Sequence, residues 1–181
     1  MSNFALSVLR KVKTPSRGTP QSAGLDFYVP EDLTVGELEK CYSNCNTTLA
    51  RNIISYTTTT PEGDTLESIE LYPHSSILIP TGIKVKIPKN HILKFENKSG
   101  VASKKGLLIG ACVIDEDYQG VVHINLWNVS DKFVVIKAGE KITQAVLYPV
   151  ALDNPELVPI EELYTETTSR GEGGFGSTGT H

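Results

Sequence analysis

Asp115, Glu116, Asp117 and Tyr118 stand together in V-I-D-E-D-Y-Q-G (residues 113 to 120), so three carboxylates and a phenol follow directly on two β-branched residues. A carboxylate held at such a tip can take a proton from water and turn it into a nucleophile, which is general-base chemistry. An isolated D-x-D between strands is also what an ordinary acidic turn looks like. A further carboxylate, Asp26, occurs in S-A-G-L-D-F-Y (22 to 28), two residues after Gly24. A glycine there lets the backbone approach another group closely, while the aspartate alone would equally serve as a local turn cap.

Anion-binding groups are concentrated elsewhere. Lys84, Lys86, Lys89, Lys94, Lys98, Lys104 and Lys105 share the stretch 84 to 105 with one acid, Glu96, although the chain carries a formal net charge of -4. A local excess of this kind attracts an anion that the net charge repels, or else it is a solvated lysine face. Within it N-K-S-G-V-A-S-K-K-G (97 to 106) sets Ser99 and Gly100 at a possible helix start, where backbone N–H groups make a phosphate seat. The C-terminal T-E-T-T-S-R-G-E-G-G-F-G-S-T-G-T-H has no apolar period, which predicts an arm without a core of its own. Arg170 and Phe175 give that arm one cation and one ring, fit for a phosphate and a base. No G-K-[ST] follows, so it is not a Walker A loop.

Strands must position these groups. Apolar residues alternate in Phe4, Leu6 and Val8, in Leu25, Phe27 and Val29, in Ile77 and Ile79, in Ile83, Val85 and Ile87, and in Val134 and Ile136. Val113 and Ile114 end one strand and 121 to 128 returns from it, so 115 to 120 reads as a hairpin tip. Turn residues punctuate the runs about every ten residues, which argues an all-β barrel or sandwich of jelly-roll type. Helix is confined to short turns near Glu37 to Tyr42 and Val101 to Lys105.

A chain of 181 residues that is 39% hydrophobic has room for one good core. No apolar run approaches the roughly 20 residues that a membrane span needs, and no leader pattern opens the sequence, so a cytosolic protein is expected. Cys41, Cys45 and Cys112 lack C-x-x-C spacing, which suggests thiols rather than a disulfide framework or a zinc site.

In order along the chain, S-A-G-L-D-F-Y, N-K-S-G-V-A-S-K-K-G, G-A-C-V-I-D-E-D-Y-Q-G, G-E-K-I-T-Q-A-V and R-G-E-G-G-F-G-S-T-G resemble the five motifs of the trimeric dUTP pyrophosphatase (dUTPase) family. The resemblance implies an all-β, distorted jelly-roll β-barrel over residues 1 to 168, closed by a Gly-rich arm over 169 to 181. It also implies a homotrimer that shares its active sites between subunits, located in the cytoplasm, or in the host cytoplasm for a viral member. Two positions depart from the family pattern: Lys98 stands where arginine is usual, which replaces a planar bidentate donor by a point charge, and Cys112 stands where glycine is usual.

By the same resemblance the reaction is hydrolysis of dUTP to dUMP and pyrophosphate, with Asp115 as the base for a water attacking the α-phosphorus. Gly110, Ala111 and Val113 would present backbone to uracil, and Tyr118 would lie under the deoxyribose. Lys98, Ser99, Gly100 and Gln144 would hold the α and β phosphates. Arg170, Gly176, Ser177 and Thr178 would take the γ-phosphate while Phe175 stacks on the base. Mg2+ would bridge the phosphates, with Asp26 reaching it through water. A non-catalytic or regulatory dUTP-binding protein and a dCTP deaminase-like enzyme are the alternatives on the same scaffold.

Residues 36 to 72 have little counterpart in the motif pattern and read as an inserted short helix plus hairpin, with P-E-G-D as the turn. Because all five motifs lie outside it, a Gly/Ser linker in its place is expected to leave catalysis within about tenfold, and a protein partner is one possible use of the block.

Overall fold

The computed structural model describes residues 3 to 43, 53 to 60 and 63 to 174. The strands, in chain order, begin with β1 (Ala5–Val8), β2 (Ser16–Arg17) and β3 (Leu25–Tyr28), followed by helix α1 (Val35–Ser43). Next come β4 (Ile53–Thr60), β5 (Gly63–Leu71), β6 (Ser76–Pro80), β7 (Ile83–Lys86) and β8 (His91–Glu96), then helix α2 (Ser99–Lys105). The chain continues through β9 (Leu107–Ile109), β10 (Val113–Ile114), β11 (His123–Asn128), β12 (Val134–Lys137) and β13 (Lys141–Pro149) to the single helical turn α3 (Ile160–Leu163). Contacts divide it into Met1–Ala151 and Leu152–His181.

The fold is all-β, as the alternation predicts. Among the described residues the strands form four sheets rather than one closed ring: β1-β7, β10-β8-β13-β3-β2, β6-β11-β9 and β12-β5-β4. Their inner faces meet in one core that includes Phe27, Leu33, Ile77, Ile79, Ile83, Leu93, Phe95, Ile124 and Ile136. Phe27 and Phe95 pack edge to face with centroids 5.1 Å apart, a contact worth about 0.5–1.5 kcal/mol beyond its area. Buried polar groups are satisfied: Asn128 Nδ2 donates to the carbonyls of Leu71, Tyr72 and Lys132, and Thr81 Oγ1 donates to Val122 O at 2.7 Å.

The turn at 115 to 120 does not close a hairpin. β10 pairs with β8, whereas β11 pairs with β6 and β9, so the turn carries the chain from one sheet to another. The returning strand starts two residues later than expected, because Val122 donates to Ile83 O at 2.8 Å and accepts from Thr81 N at 3.0 Å before β11 begins.

Helix α1 is longer than the turn expected, and a capping box explains it. Glu37 N–H donates to Thr34 Oγ1 at 3.3 Å while the Glu37 carboxylate accepts from Thr34 N at 3.0 Å. Arg10 ties the N-terminal segment to this helix start, with Nε 2.6 Å from Asp32 Oδ1 and Nη1 2.7 Å from Glu37 Oε1. Burial depresses the Arg10 pKa, but the bonds to Glu37 and Asp32 outweigh it and raise the pKa above its ordinary value.

The block 36 to 72 is not a detachable addition. Leu38 from α1 and Leu66, Ile69 and Leu71 from β5 are core residues, and β5 is the strand that pairs with β12. The β4–β5 hairpin runs on past that pairing, and there Thr57, Thr58, Thr59 and Asp64 are exposed. The segment whose P-E-G-D turn looked like a hairpin of its own is thus half core sheet and half projecting tip. The expectation that the whole block can be replaced does not survive this packing.

Candidate active site

Strand pairing puts Asp26 in a row of polar groups. It stands opposite Ser16 on β2 and Gln144 on β13, and Gln144 stands opposite Glu96 on β8. Opposed residues share a face of the sheet. Asp26 is only 5% exposed, and its two oxygens take Lys98 Nζ at 2.5 Å and Lys141 Nζ at 2.9 Å. Burial pushes the Asp26 carboxyl up, but the hydrogen bonds and charges of Lys98 and Lys141 outweigh it and hold the carboxyl below the usual carboxylate range. The bond to Asp26 in turn raises Lys141 above the ordinary lysine value. Two ammonium groups on one carboxylate leave an excess of positive charge, which suits an oligophosphate.

Lys98 is also the N-cap of α2, with extended backbone and no side-chain cap, since an ammonium has no acceptor for a helix N–H; it donates to Asp26 instead. The first-turn N–H groups beside Ser99 therefore lack the usual Ser, Thr or Asp acceptor. Gln144 Nε2 donates to Asn97 O at 3.0 Å, fixing β13 to the segment that leads into the helix. A Cβ at position 24 would lie 2.5 Å from Gln144 Oε1, so the close approach foreseen at Gly24 is to this glutamine.

The second cluster is built by the crossing loop. Gly110 N–H donates to Asn125 O at 3.0 Å, and Ala111 N–H donates to Asn125 Oδ1 at 3.0 Å. The Asn125 side chain thus stands in for a ladder partner where the chain leaves β9 and its pairing with β11. A Cβ at Gly110 would sit 2.0 Å from Asn125 Oδ1, which excludes any side chain there. Two residues on, Cys112 O accepts from Phe95 N at 2.8 Å and the chain joins β8. Asp115 follows at the exposed tip, its carbonyl accepting from Tyr118 N at 3.2 Å. Tyr118 OH donates to Val121 O at 2.9 Å, and His123 Nδ1 lies 2.8 Å from the same oxygen. Ala111, Cys112, Val113, Asp115, Tyr118 and His123 line a pocket of about 190 Å³ together with apolar Leu78, Phe95, Ile114 and Val122.

The structure brings Ala111, Val113, Asp115 and Tyr118 into that pocket, with Gly110 just before it. It brings Asp26, Lys98 and Gln144 into the charged row, with Ser99 and Gly100 adjoining. Lys98, Ser99 and Gln144 do not line the Asp115 pocket, so within one chain that pocket and the charged row are lined by different residues. In the C-terminal unit Arg170 Nε donates to Gly173 O at 2.8 Å and Gly171 N to Thr168 O at 3.1 Å, a pair of tight turns. Phe175, Gly176, Ser177 and Thr178 lie outside the described residues. The N–H groups of Gly110 and Ala111 are committed to Asn125, so any base contact by these two residues is left to their carbonyls.

Sequence inspection missed Lys141, Asn125 and His123. Lys141 and Gln144 are three residues apart, which in a regular strand puts them on opposite faces. A register shift between Lys141 and Thr143 turns both toward Asp26. The signal available was the position of Lys141 inside G-E-K-I-T-Q-A-V; the bulge itself has no signature there.

Comparison with known proteins decides the family of the chain. The dUTPase family model matches residues 65 to 179. A deoxyuridine 5'-triphosphate nucleotidohydrolase of Wolbachia pipientis is 40% identical over 178 residues, covering 96% of this chain and 92% of its own. The chain belongs to the dUTPase family. The match takes in residues 65 to 72, in keeping with the core position of β5. A Staphylococcus bacteriophage 80alpha dUTPase solved with dUpNHpp shares the fold at a TM-score of 0.66 and 24% identity, with 99% of both chains covered. A dUTPase from phage phi11 of S. aureus, described with a coordinated structural Mg(II) ion, superposes at a TM-score of 0.59 and 22% identity, over 90% of this chain and 99% of that one.

Among the described residues no group of three or more His, Cys, Asp or Glu is arranged to hold a metal. Asp26 is the one buried carboxylate of the charged row, and both its oxygens already bear ammonium groups. That donor set fits Mg2+ only if phosphates hold the ion and Asp26 meets it through water, the manner in which magnesium keeps its hydration shell.

Proposed function

We propose that this chain hydrolyses dUTP to dUMP and pyrophosphate by in-line attack of a water that Asp115 holds and deprotonates. Its family makes it a hydrolase, a dUTP diphosphatase. The carrying observation is Asp115 itself: it lies in a pocket with Tyr118, takes part in no ion pair among the described residues, and so keeps its acceptor oxygens for water. Uracil and deoxyribose occupy that pocket, against the carbonyls of Gly110 and Ala111, the backbone at Val113 and the ring of Tyr118. Lys98, Ser99, Gly100, Gln144 and Lys141 bind the phosphates, and Arg170, Phe175, Gly176, Ser177 and Thr178 close over the nucleotide. Mg2+, when bound with the triphosphate, neutralises developing charge on the phosphate oxygens. Asp26 would hold that ion through water, and its ion pairs position Lys98 and Lys141.

The separation of the Asp115 pocket from Lys98 and Gln144 supports a homotrimer in which one site draws on several chains. No helix among the described residues is long and apolar enough to cross a membrane, and a cytoplasmic location goes with the nucleotide substrate. Pyrophosphate release measured with dUTP and with dCTP, each with Mg2+, tests the assignment. Release from dUTP alone is expected. Equal release from dCTP, or deamination of it, would overturn the proposal, and binding of dUTP without turnover would mark a regulatory protein.

A further inference from the structure

Glu116 has no place in the chemistry so far, yet its side chain fastens the turn that bears Asp115. The backbone pairing of β10 with β8 ends at Ile114, opposite Leu93. Just beyond it the Glu116 carboxylate accepts from the backbone N–H of Asn90, the residue that precedes β8. A side-chain acceptor thus carries the attachment on where the ladder stops. Asn90 is a fixed anchor, since its carbonyl accepts from Val150 N at 2.9 Å. Its φ of 59° lies in the left-handed region, which asparagine adopts more readily than most side chains. Of the three carboxylates in D-E-D, only Glu116 is hydrogen-bonded by its side chain to another segment among the described residues.

The far end of the same turn is tied as well. Tyr118 N donates to Asp115 O at 3.2 Å and Tyr118 OH donates to Val121 O at 2.9 Å. A Cβ at Gly120 would collide with the Tyr118 phenol, so glycine there leaves the ring its place. Asp115 stands between the two ties, next to buried Ile114 and itself exposed. An exposed turn is mobile unless it is tied down, and a base for in-line attack tolerates little movement, because a displacement of about 1 Å can cost about 10²-fold in rate. We infer that Glu116 is a positioning residue for the hydrolysis: by accepting from Asn90 N–H it holds the turn so that the Asp115 carboxylate meets the attacking water in line. This rests on Asp115 being the base.

The test is steady-state kinetics with dUTP and Mg2+ on the full-length protein, in wild type, Glu116→Ala, Glu116→Gln, Asp115→Asn and the double variant Asp115→Asn with Glu116→Ala. In Glu116→Ala kcat should fall about tenfold or more while KM stays within about threefold, since the base is displaced and the nucleotide contacts are kept. Glu116→Gln retains an oxygen that can accept from Asn90 N–H and should stay within about threefold of wild type in kcat. Because the effect runs through Asp115, Glu116→Ala should change the residual kcat of Asp115→Asn by less than about threefold. The inference is overturned by a kcat for Glu116→Ala within about threefold of wild type, by equal losses in the alanine and glutamine variants, or by a tenfold loss that persists in the Asp115→Asn background. Should Glu116→Ala fail to fold, amide hydrogen exchange in wild type decides: Asn90 N–H should be protected, and free exchange there would show that no such bond holds the turn. Near-normal turnover of Asp115→Asn would instead remove Asp115 as the base, and the inference with it.

Discussion

Lys98 Nζ lies 2.5 Å from Asp26 Oδ1, an ion pair that joins residues 72 positions apart at the edge of the core. Removing one member of such a pair leaves a charge without its counter-ion, so Asp26→Asn should lower stability by about 1–3 kcal/mol at pH 7. The native Asp26 carboxyl is held below its ordinary value of 3.8, so the unfolded chain binds the proton more readily. The stabilisation is therefore complete above that value and is lost as pH falls through the lower native one. Urea denaturation of both proteins against pH should show the difference closing only on the acid side. A constant difference down to the acid limit would mean that the ion pair is not its source.

Asp115→Asn should keep nucleotide affinity within a few-fold while kcat falls by roughly two to four decades, the usual share of a general base. Single-turnover kinetics with dUTP alongside binding of dUMP would separate the two. Near-normal turnover would take the role of base away from Asp115.

Lys141→Met should raise KM for dUTP by about tenfold while dUMP affinity changes far less, since in the proposed function Lys141 binds the phosphates rather than the base. The Asp26–Lys98 pair survives in this variant, so the melting temperature is the control. Parallel weakening of dUTP and dUMP binding would argue that Lys141 is only a brace for Asp26.

Ending the chain after Thr168 should leave a folded protein with most activity gone. The core lies wholly within the first unit, and in the proposed function Arg170 and the arm beyond it supply closure. Circular dichroism and pyrophosphate release, run together, would distinguish lost closure from lost fold.

Replacing residues 59 to 64 by Asn-Gly keeps the Thr58–Thr65 pair and substitutes a two-residue hairpin turn. Activity should stay within about tenfold of wild type. Deleting 36 to 72 outright should abolish cooperative unfolding, because Leu38, Leu66, Ile69 and Leu71 leave the core and β12 loses its partner. A stable, active deletion protein would show that the remaining sheets can form the core without them.

The sequence by itself determined the class of fold and the family. Alternation of period two in runs such as Ile77–Ile79 and Val134–Ile136 is a local consequence of strand geometry, so it is legible without knowing any partner strand. The motif order carried Asp115, Tyr118, Ser99 and Gln144 because those residues sit in short, contiguous segments. What the tertiary structure alone decided is where such segments meet. The pairing of β10 with β8 and of β11 with β6 and β9 turned an apparent hairpin into a crossing between sheets. One bulge between Lys141 and Thr143 rotated a lysine onto Asp26, and Asn125 took the N–H of Ala111 from 14 residues away. Register and long-range pairing are set by the sum of many contacts distant in sequence, which is why no local pattern in Lys141, Asn125 or His123 announces them.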